Sequence, residues 1–154
     1  MTRFVLDSSF AMSWAFQDER TPERVRVLEA LACGHAEAYV SPLWFFEISN
    51  VLLVAERRQR LSAAQSAAFI ALLKGLPIRV TGQPVTEIFG PLLDLARAQK
   101  LTVYDAAYLG VAEQAGKVPL ATLDRQLESA ARENGIPGVA ELLASLPVEK
   151  FPPE

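Results

Sequence analysis

Short apolar runs alternate with amphipathic segments along this chain. Four runs, at 3–6, 38–40, 78–80 and 118–121, predict β-strands, and Val139 is expected to open a last short edge strand. Between the runs, apolar residues recur at helical spacing. Strands that alternate with helices are typical of an α/β sandwich around a mostly parallel sheet.

Capping residues and apolar periodicity together indicate where the helices lie. One helix begins at Ser41-Pro42 and continues to Arg57, and its apolar residues include Phe45, Ile48 and Leu52 on one face. Similar signals predict helices from Ser8 or Ser9 to Phe16, from Pro22 to about Cys33, from Ser62 to about Leu73, from Pro84 or Val85 to about Ala98, through Asp105 to Gly116, and after Asp124 to about Asn134.

The composition is that of a globular protein, with 154 residues, 51% hydrophobic and 21% charged. We expect a single domain over residues 1–148 and a short C-terminal tail at 149–154. No apolar stretch approaches the length of a membrane span, and the N-terminal residues do not resemble a signal peptide. The single cysteine, Cys33, excludes an intramolecular disulfide and is expected to be buried. These features predict a cytoplasmic protein without a membrane partner.

The net charge of −3 argues against indiscriminate binding of nucleic acid through counterion release. A local basic surface remains compatible with it, and the densest basic cluster consists of Arg57, Arg58 and Arg60. Cations are favourable at a helix C-terminus, so a solvated helix end is the simpler interpretation of this cluster. Contact with RNA is the alternative.

Four carboxylates, far apart in sequence, lie at the edges of apolar segments: Asp7, Glu47, Asp105 and Asp124. Two of them follow predicted strands and two lie in early helical turns, so all four could reach the carboxyl ends of the strands, where α/β sheets form their sites. If the fold gathers them, repulsion raises their pKa values unless a divalent ion neutralises them. An all-oxygen set suits Mg²⁺ or Mn²⁺, which serve phosphate-ester chemistry.

Each of these acids also has a structural explanation when it is taken alone. Asp7 and Asp124 could cap the helices that follow them. Glu47 could pair with Arg57 or with a neighbouring helix, and Asp105 could be an N-cap or a first-turn acid that the helix dipole favours. Capping does not, however, require all four acids in this pattern.

Four segments carry a family resemblance: Phe4-Val5-Leu6-Asp7-Ser8-Ser9, Ser41-Pro42-Leu43-Trp44-Phe45-Phe46-Glu47, Thr102-Val103-Tyr104-Asp105-Ala106-Ala107-Tyr108 and Ala121-Thr122-Leu123-Asp124-Arg125-Gln126-Leu127. In their order and spacing the chain resembles the PIN-domain ribonucleases, particularly the toxins of VapBC-type toxin–antitoxin pairs. The resemblance covers essentially the whole chain. It implies a three-layer α/β/α sandwich and a metal-dependent endoribonuclease held inactive by a cognate antitoxin.

Carried over residue by residue, the resemblance also implies a site. The acids become the Mg²⁺ or Mn²⁺ site, with Asp7 and Asp105 as our candidates for the principal ligands. Ser9 and Thr122 match the family's supporting hydroxyls, whereas Ser8 carries no assignment. A homodimer is implied as well, and the apolar segments 69–73 and 88–93 offer surface for it.

Two other classes of protein compete with the nuclease hypothesis. A phosphatase of the haloacid-dehalogenase type would need a second Asp two residues after Asp7, but that residue is Ser9. A receiver domain would need paired acids near the first strand and a lysine near the site, which the chain lacks. A noncatalytic module that keeps the fold stays open, although all four acids are present.

Overall fold

A parallel sheet of four strands lies at the centre of the protein. Its strands are β1 (Thr2–Leu6), β2 (Ala36–Val40), β3 (Ile78–Val80) and β4 (Leu120–Ala121), in the spatial order β3-β2-β1-β4. In the register, Val5 is opposite Tyr39 of β2 and Leu120 of β4. Because the strands are parallel, their carboxyl ends lie along one edge of the sheet.

Helices surround the sheet in the computed structural model, which describes residues 1–148. The predicted tail at 149–154 lies outside the described residues. The α-helices are α1 (Ser8–Met12), α2 (Pro22–Ala32), α3 (Leu43–Arg57), α4 (Ala63–Lys74), α5 (Val85–Glu87), α6 (Leu93–Gln99), α7 (Val103–Gln114), α8 (Arg125–Glu133) and α9 (Val139–Ser145). A 3₁₀ turn at Gln17–Glu19 and a π-helical turn at Ile88–Leu92 complete the helical segments.

Both faces of the sheet are covered. Phe4, Val5 and Leu6 of β1 point alternately to the two faces, and each is fully buried. Helices α2 and α9 pack against each other and against the sheet, while α7 packs against β1, β2 and β4. This arrangement confirms the predicted α/β sandwich with a parallel central sheet.

Several local predictions were wrong. Val139 opens α9 rather than an edge strand, because the Gly138 N–H donates to the Glu141 carboxylate at 2.9 Å and starts a helix. The first helix ends at Met12 instead of Phe16. Its N-cap position is Asp7 rather than a serine, as the structural alternative for Asp7 suggested, but the Asp7 side chain makes no capping hydrogen bond. Cys33 follows the end of α2 and is exposed, not buried.

A single helix was expected from about residue 85 to 98, but that segment is interrupted. Pro91 has no N–H to donate and its ring crowds the preceding turn, so the chain widens into the π-helical turn. Within residues 1–148, no helix is long and apolar enough to cross a membrane.

Candidate active site

Asp7 lies directly after β1, at the carboxyl-end edge of the sheet, and is only 5% exposed. Its backbone N–H donates to the Ala121 carbonyl at 3.0 Å, which ties it to β4. Ser9 Oγ and Thr122 Oγ1 both donate to Asp7 Oδ2, at 2.7 and 2.6 Å. The nearest donor to Oδ1 is Ser8 Oγ at 3.4 Å. Asp7 is therefore held through one carboxylate oxygen, and the other retains most of its capacity to bind.

Glu47 projects from the second turn of α3 toward the same edge. Ser8 Oγ donates to its Oε2 at 2.7 Å, and the Tyr108 hydroxyl donates to its Oε1 at 3.0 Å. Burial raises the pKa of Glu47; the two hydrogen bonds oppose that rise, and repulsion from Asp7 and Asp105 adds to it. The alternative of a pair with Arg57 is wrong, whereas the alternative of a partner on a neighbouring helix agrees with the structure, since Ser8 lies on α1 and Tyr108 on α7.

Asp105 lies in the first turn of α7. Thr102 caps that helix, and its Oγ1 accepts the Asp105 N–H at 3.1 Å, so Asp105 is not the cap itself. Burial is the main reason that the pKa of Asp105 is raised, and repulsion from Asp124 and Asp7 raises it further. The carboxylate is thus close enough to two other acids to feel their charge.

Asp124 is the exposed member of the set. Its Oδ1 accepts the N–H groups of Gln126 and Leu127, at 2.9 and 3.1 Å, so it caps α8 as the structural alternative suggested. Its own N–H donates to Thr122 Oγ1 at 3.0 Å, which links it to the hydroxyl pair around Asp7. A capping role and a place beside the other acids therefore coexist in one residue.

The fold thus brings the four predicted acids and both supporting hydroxyls to one end of the sheet. The four acids are near enough for their charges to interact, but they do not form a compact set of ligands. Among residues 1–148, no group of three or more His, Cys, Asp and Glu side chains is placed to hold one metal ion. Because Mg²⁺ usually keeps several waters and binds only one or two carboxylates directly, this looser arrangement is compatible with it.

Comparison with known proteins agrees with this architecture. A family model described as PIN domain matches residues 4–133, which include all four acids. The chain belongs to the PIN domain family. Members of this family have a nuclease-type fold and are typically metal-dependent nucleases.

One solved structure similar to this PIN domain is that of PAE2754 from Pyrobaculum aerophilum. The two chains are 25% identical, the match covers 93% of this chain and 88% of that one, and the TM-score is 0.67. No curated protein sequence matches this chain. The family and the fold that the four segments predicted are therefore confirmed, whereas the narrower toxin assignment stays a prediction.

A cleft of about 610 Å³ opens in the PIN domain beside Asp124, the one of the four acids that lines it. Its lining includes Ser8, Ser9 and Asp124 together with Phe16, Glu19 and Arg60. The Arg60 guanidinium lies over the Phe16 ring, with its central carbon 3.9 Å from the ring centroid, and it pairs with Asp18 and Glu19 at 3.3 and 3.4 Å. Of the three arginines in the basic cluster singled out from the sequence, Arg60 is the one that lines this cleft.

Arg57 and Arg58 differ from Arg60. Both are exposed at the end of α3, and within the described part of the chain neither has an ion pair or a side-chain hydrogen bond. They match the simpler interpretation of a solvated helix end.

Sequence reasoning missed two polar groups at the site, Ser8 and Tyr108. Ser8 was left without an assignment, and Tyr108 was quoted in its motif without a role. Tyr108 is 1% exposed, and burial together with the charges of Asp7 and Glu47 raises the pKa of its hydroxyl, which therefore stays protonated as a donor. Its spacing was the available signal, because Tyr108 lies three residues after Asp105 on the same helix face.

Proposed function

We propose that this PIN domain, residues 1–148, is a metal-dependent endoribonuclease that hydrolyses RNA phosphodiester bonds. The observation that carries the proposal is the meeting of four carboxylates at the carboxyl-end edge of a parallel sheet. Mutual repulsion there contributes to raising the pKa values of Glu47 and Asp105. An acidic cluster of this kind is stabilised by a divalent cation, which removes the repulsion.

The donor set fits Mg²⁺ or Mn²⁺. All candidate donors are carboxylate oxygens, which these hard cations prefer. Asp7 Oδ1 lacks a short hydrogen bond, whereas Oδ2 accepts two of them. Asp7 and Asp105 are the proposed direct ligands, and Asp124 would complete the site through its free oxygen or through water.

When bound, the cation screens the negative charge of the phosphodiester and lowers the pKa of a water molecule. The residues of the chain then have separate tasks. Asp7 and Asp105 would hold the cation and Glu47 would orient the attacking water, while Ser9 and Thr122 keep the Asp7 carboxylate in place. No cysteine or histidine nucleophile is required.

RNA is the proposed substrate, and Arg60 is the proposed contact to its backbone. Arg60 lines the cleft that also contains Asp124, and its cation–π contact with Phe16 helps to hold the guanidinium there. A guanidinium suits a phosphate geometrically because it can donate two parallel hydrogen bonds. When RNA binds, a phosphate would take the place of Asp18 or Glu19 as a partner of the Arg60 guanidinium.

Asp7→Asn and Asp105→Asn test the nuclease proposal. Each substitution removes a proposed ligand charge with little change in shape, so we expect cleavage of a defined RNA to be abolished while the melting curve stays cooperative. Asp94→Asn is the matched control, because it makes the same acid-to-amide change at an exposed position on α6 outside the lining of the cleft, and it should cleave at the parental rate. Parental cleavage by either Asp variant at saturating Mg²⁺ would falsify the assigned site.

Within this proposal we assign the chain to the toxin side of a type II toxin–antitoxin pair in the cytoplasm. The antitoxin would place an Arg or Lys against the acids and an apolar segment beside α3. An apolar cavity of about 320 Å³ exists there, lined in part by Trp44, Phe45 and Ile48 of α3 and by Ile70 and Leu73 of α4. This cavity supports a helix-in-groove partner.

Co-expression with the small protein encoded beside this chain tests the assignment. We expect tight binding and loss of cleavage. Binding without loss of cleavage, or no binding, would leave either a PIN nuclease outside such a pair or, if cleavage is also absent, a noncatalytic PIN-fold module.

A homodimer belongs to the same proposal. Ile70 and Leu72 on α4 and Phe89 in the π-helical turn are 38%, 41% and 78% exposed, which supports an additional apolar contact. Light scattering of the purified chain measures this directly, and a monomer would count against the dimer without affecting catalysis.

A further inference from the structure

Three hydrogen bonds close a ring around Glu47. Ser8 Oγ donates to one carboxylate oxygen at 2.7 Å, and the Tyr108 hydroxyl donates to the other at 3.0 Å. The Ser8 backbone N–H in turn faces the Tyr108 oxygen at 3.4 Å. The ring joins the start of α1, the second turn of α3 and the middle of α7, three segments far apart in sequence.

From this ring we infer that Ser8 and Tyr108 are positioning residues that fix the Glu47 carboxylate beside Asp7. The inference deepens the proposed function and rests on it. A glutamate side chain has three rotatable bonds, and holding one conformation costs entropy that hydrogen bonds must offset. Two donors on separate elements, one for each oxygen, set both the position and the plane of the carboxylate.

The surroundings make the two donors rigid. The Tyr108 ring is 1% exposed and lies in the hydrophobic core, so its hydroxyl cannot turn toward solvent. Ser8 is 8% exposed, and its backbone lies in the first turn of α1. Both donors are therefore in place before the Glu47 carboxylate contacts a cation or a water molecule, as a preorganised site requires.

Asp7 provides the contrast within the same site. Its two short hydrogen bonds both end at Oδ2, which leaves Oδ1 able to bind a cation directly. Glu47 has one short bond on each oxygen. These hydrogen bonds suit Asp7 to bind a cation directly. They suit Glu47 to act at a fixed distance, through a water molecule.

Tyr108→Phe is the primary test, because it keeps the buried ring and removes only the donor to Glu47. Mn²⁺ affinity of the RNA-free protein, measured by titration calorimetry, is the first readout, and we expect it to fall roughly 10-fold, the low end for loss of an outer-shell group, because Glu47 reaches the ion through water. In cleavage assays kcat should fall by a similar factor while KM for RNA stays unchanged.

Tyr104→Phe is the matched control. Tyr104 lies on the same helix, is 64% exposed, and within residues 1–148 donates no side-chain hydrogen bond, so its variant should bind Mn²⁺ and cleave RNA like the parent. Ser8→Ala should behave like Tyr108→Phe, and Ser8→Thr, which restores a hydroxyl, should recover most of the loss.

A double variant shows whether Tyr108 acts through Glu47. In the Glu47→Gln background, Tyr108→Phe should produce little further loss, since the carboxylate that it orients is already gone. Equal losses in both backgrounds, or parental Mn²⁺ affinity and kcat in Tyr108→Phe, would overturn the inference. If the parent binds Mn²⁺ but cleaves no RNA, the affinity series still decides the positioning role while the nuclease proposal fails; a parent that binds no Mn²⁺ overturns both.

Discussion

Neighbouring acids have unlike surroundings at the scale of single residues. Asp7 is buried against two hydroxyls, Glu47 is held by Ser8 and Tyr108, and Asp124 is exposed and caps a helix. Burial is the largest cause of the raised pKa values at Glu47 and Asp105. The cluster therefore lowers the stability of the metal-free fold in a way that depends on pH.

The sign of that dependence can be measured. The ordinary pKa values are 4.5 for Glu47 and 3.8 for Asp105, and the folded values lie above them. Between the ordinary and the raised value the folded state keeps a proton that the unfolded state has lost, so stability falls as pH rises through this range. Glu47→Gln and Asp105→Asn should therefore gain stability relative to the parent as pH rises.

Urea midpoints of the parent and these two variants, taken with chelator from about pH 4 to about pH 7, provide the measurement. Asp94→Asn, at an exposed site on α6, is the control and should show no such trend. A gap between variant and parent that stays constant with pH would contradict the expectation.

At the scale of secondary-structure elements, N-cap residues determine where several of the helices begin. Thr21, Ser62 and Thr102 each accept a backbone N–H at the start of the helix that follows, and the predicted starts of α2 and α4 rest on such residues. Local hydrogen bonds of this kind are encoded within a few residues. That is why these boundaries could be predicted from sequence.

Asp124 allows the cap to be separated from the charge. Asn is as good an N-cap as Asp, so Asp124→Asn should keep the stability of α8 while lowering metal affinity and cleavage. Asp124→Ala should lose the same activity and, in addition, about 1 kcal/mol of stability. Denaturant unfolding of both variants, alongside Mn²⁺ titration, distinguishes the two roles. Equal stability of the two variants would mean that the cap contributes nothing.

The elements that could not be predicted depend on contacts distant in sequence or on a local exception. Val139 favours a strand by its β-branched side chain, but α9 is joined to α8 by the Arg132–Glu141 ion pair at 2.9 Å and covers the sheet. The roles of Ser8 and Tyr108 were likewise missed, because 100 residues separate them. The four acids stood out because a carboxylate in apolar sequence is costly without a partner.

The whole molecule should respond to divalent metal through linkage. Only the folded chain gathers the acids, so an ion that binds them stabilises the fold by about 2.7 kcal/mol when its concentration is 100 times the Kd. The melting temperature should therefore rise with Mn²⁺ concentration and return on chelation. Asp7→Asn should show a much smaller rise. An equal rise in this variant would mean that the metal binds elsewhere.

The bond between Thr122 and Asp7 has a consequence for how the protein is made. The two residues are 115 positions apart, so a growing chain has the first acid long before the hydroxyl that orients it. Strand β4, which brings Thr122 into place, is translated after the other three strands of the sheet. Contacts of such separation form after local helices, because closing a long loop costs entropy. A ribosome-bound fragment that stops before β4 is therefore expected to lack an ordered Asp7, and the competent fold forms only after β4 has left the ribosome.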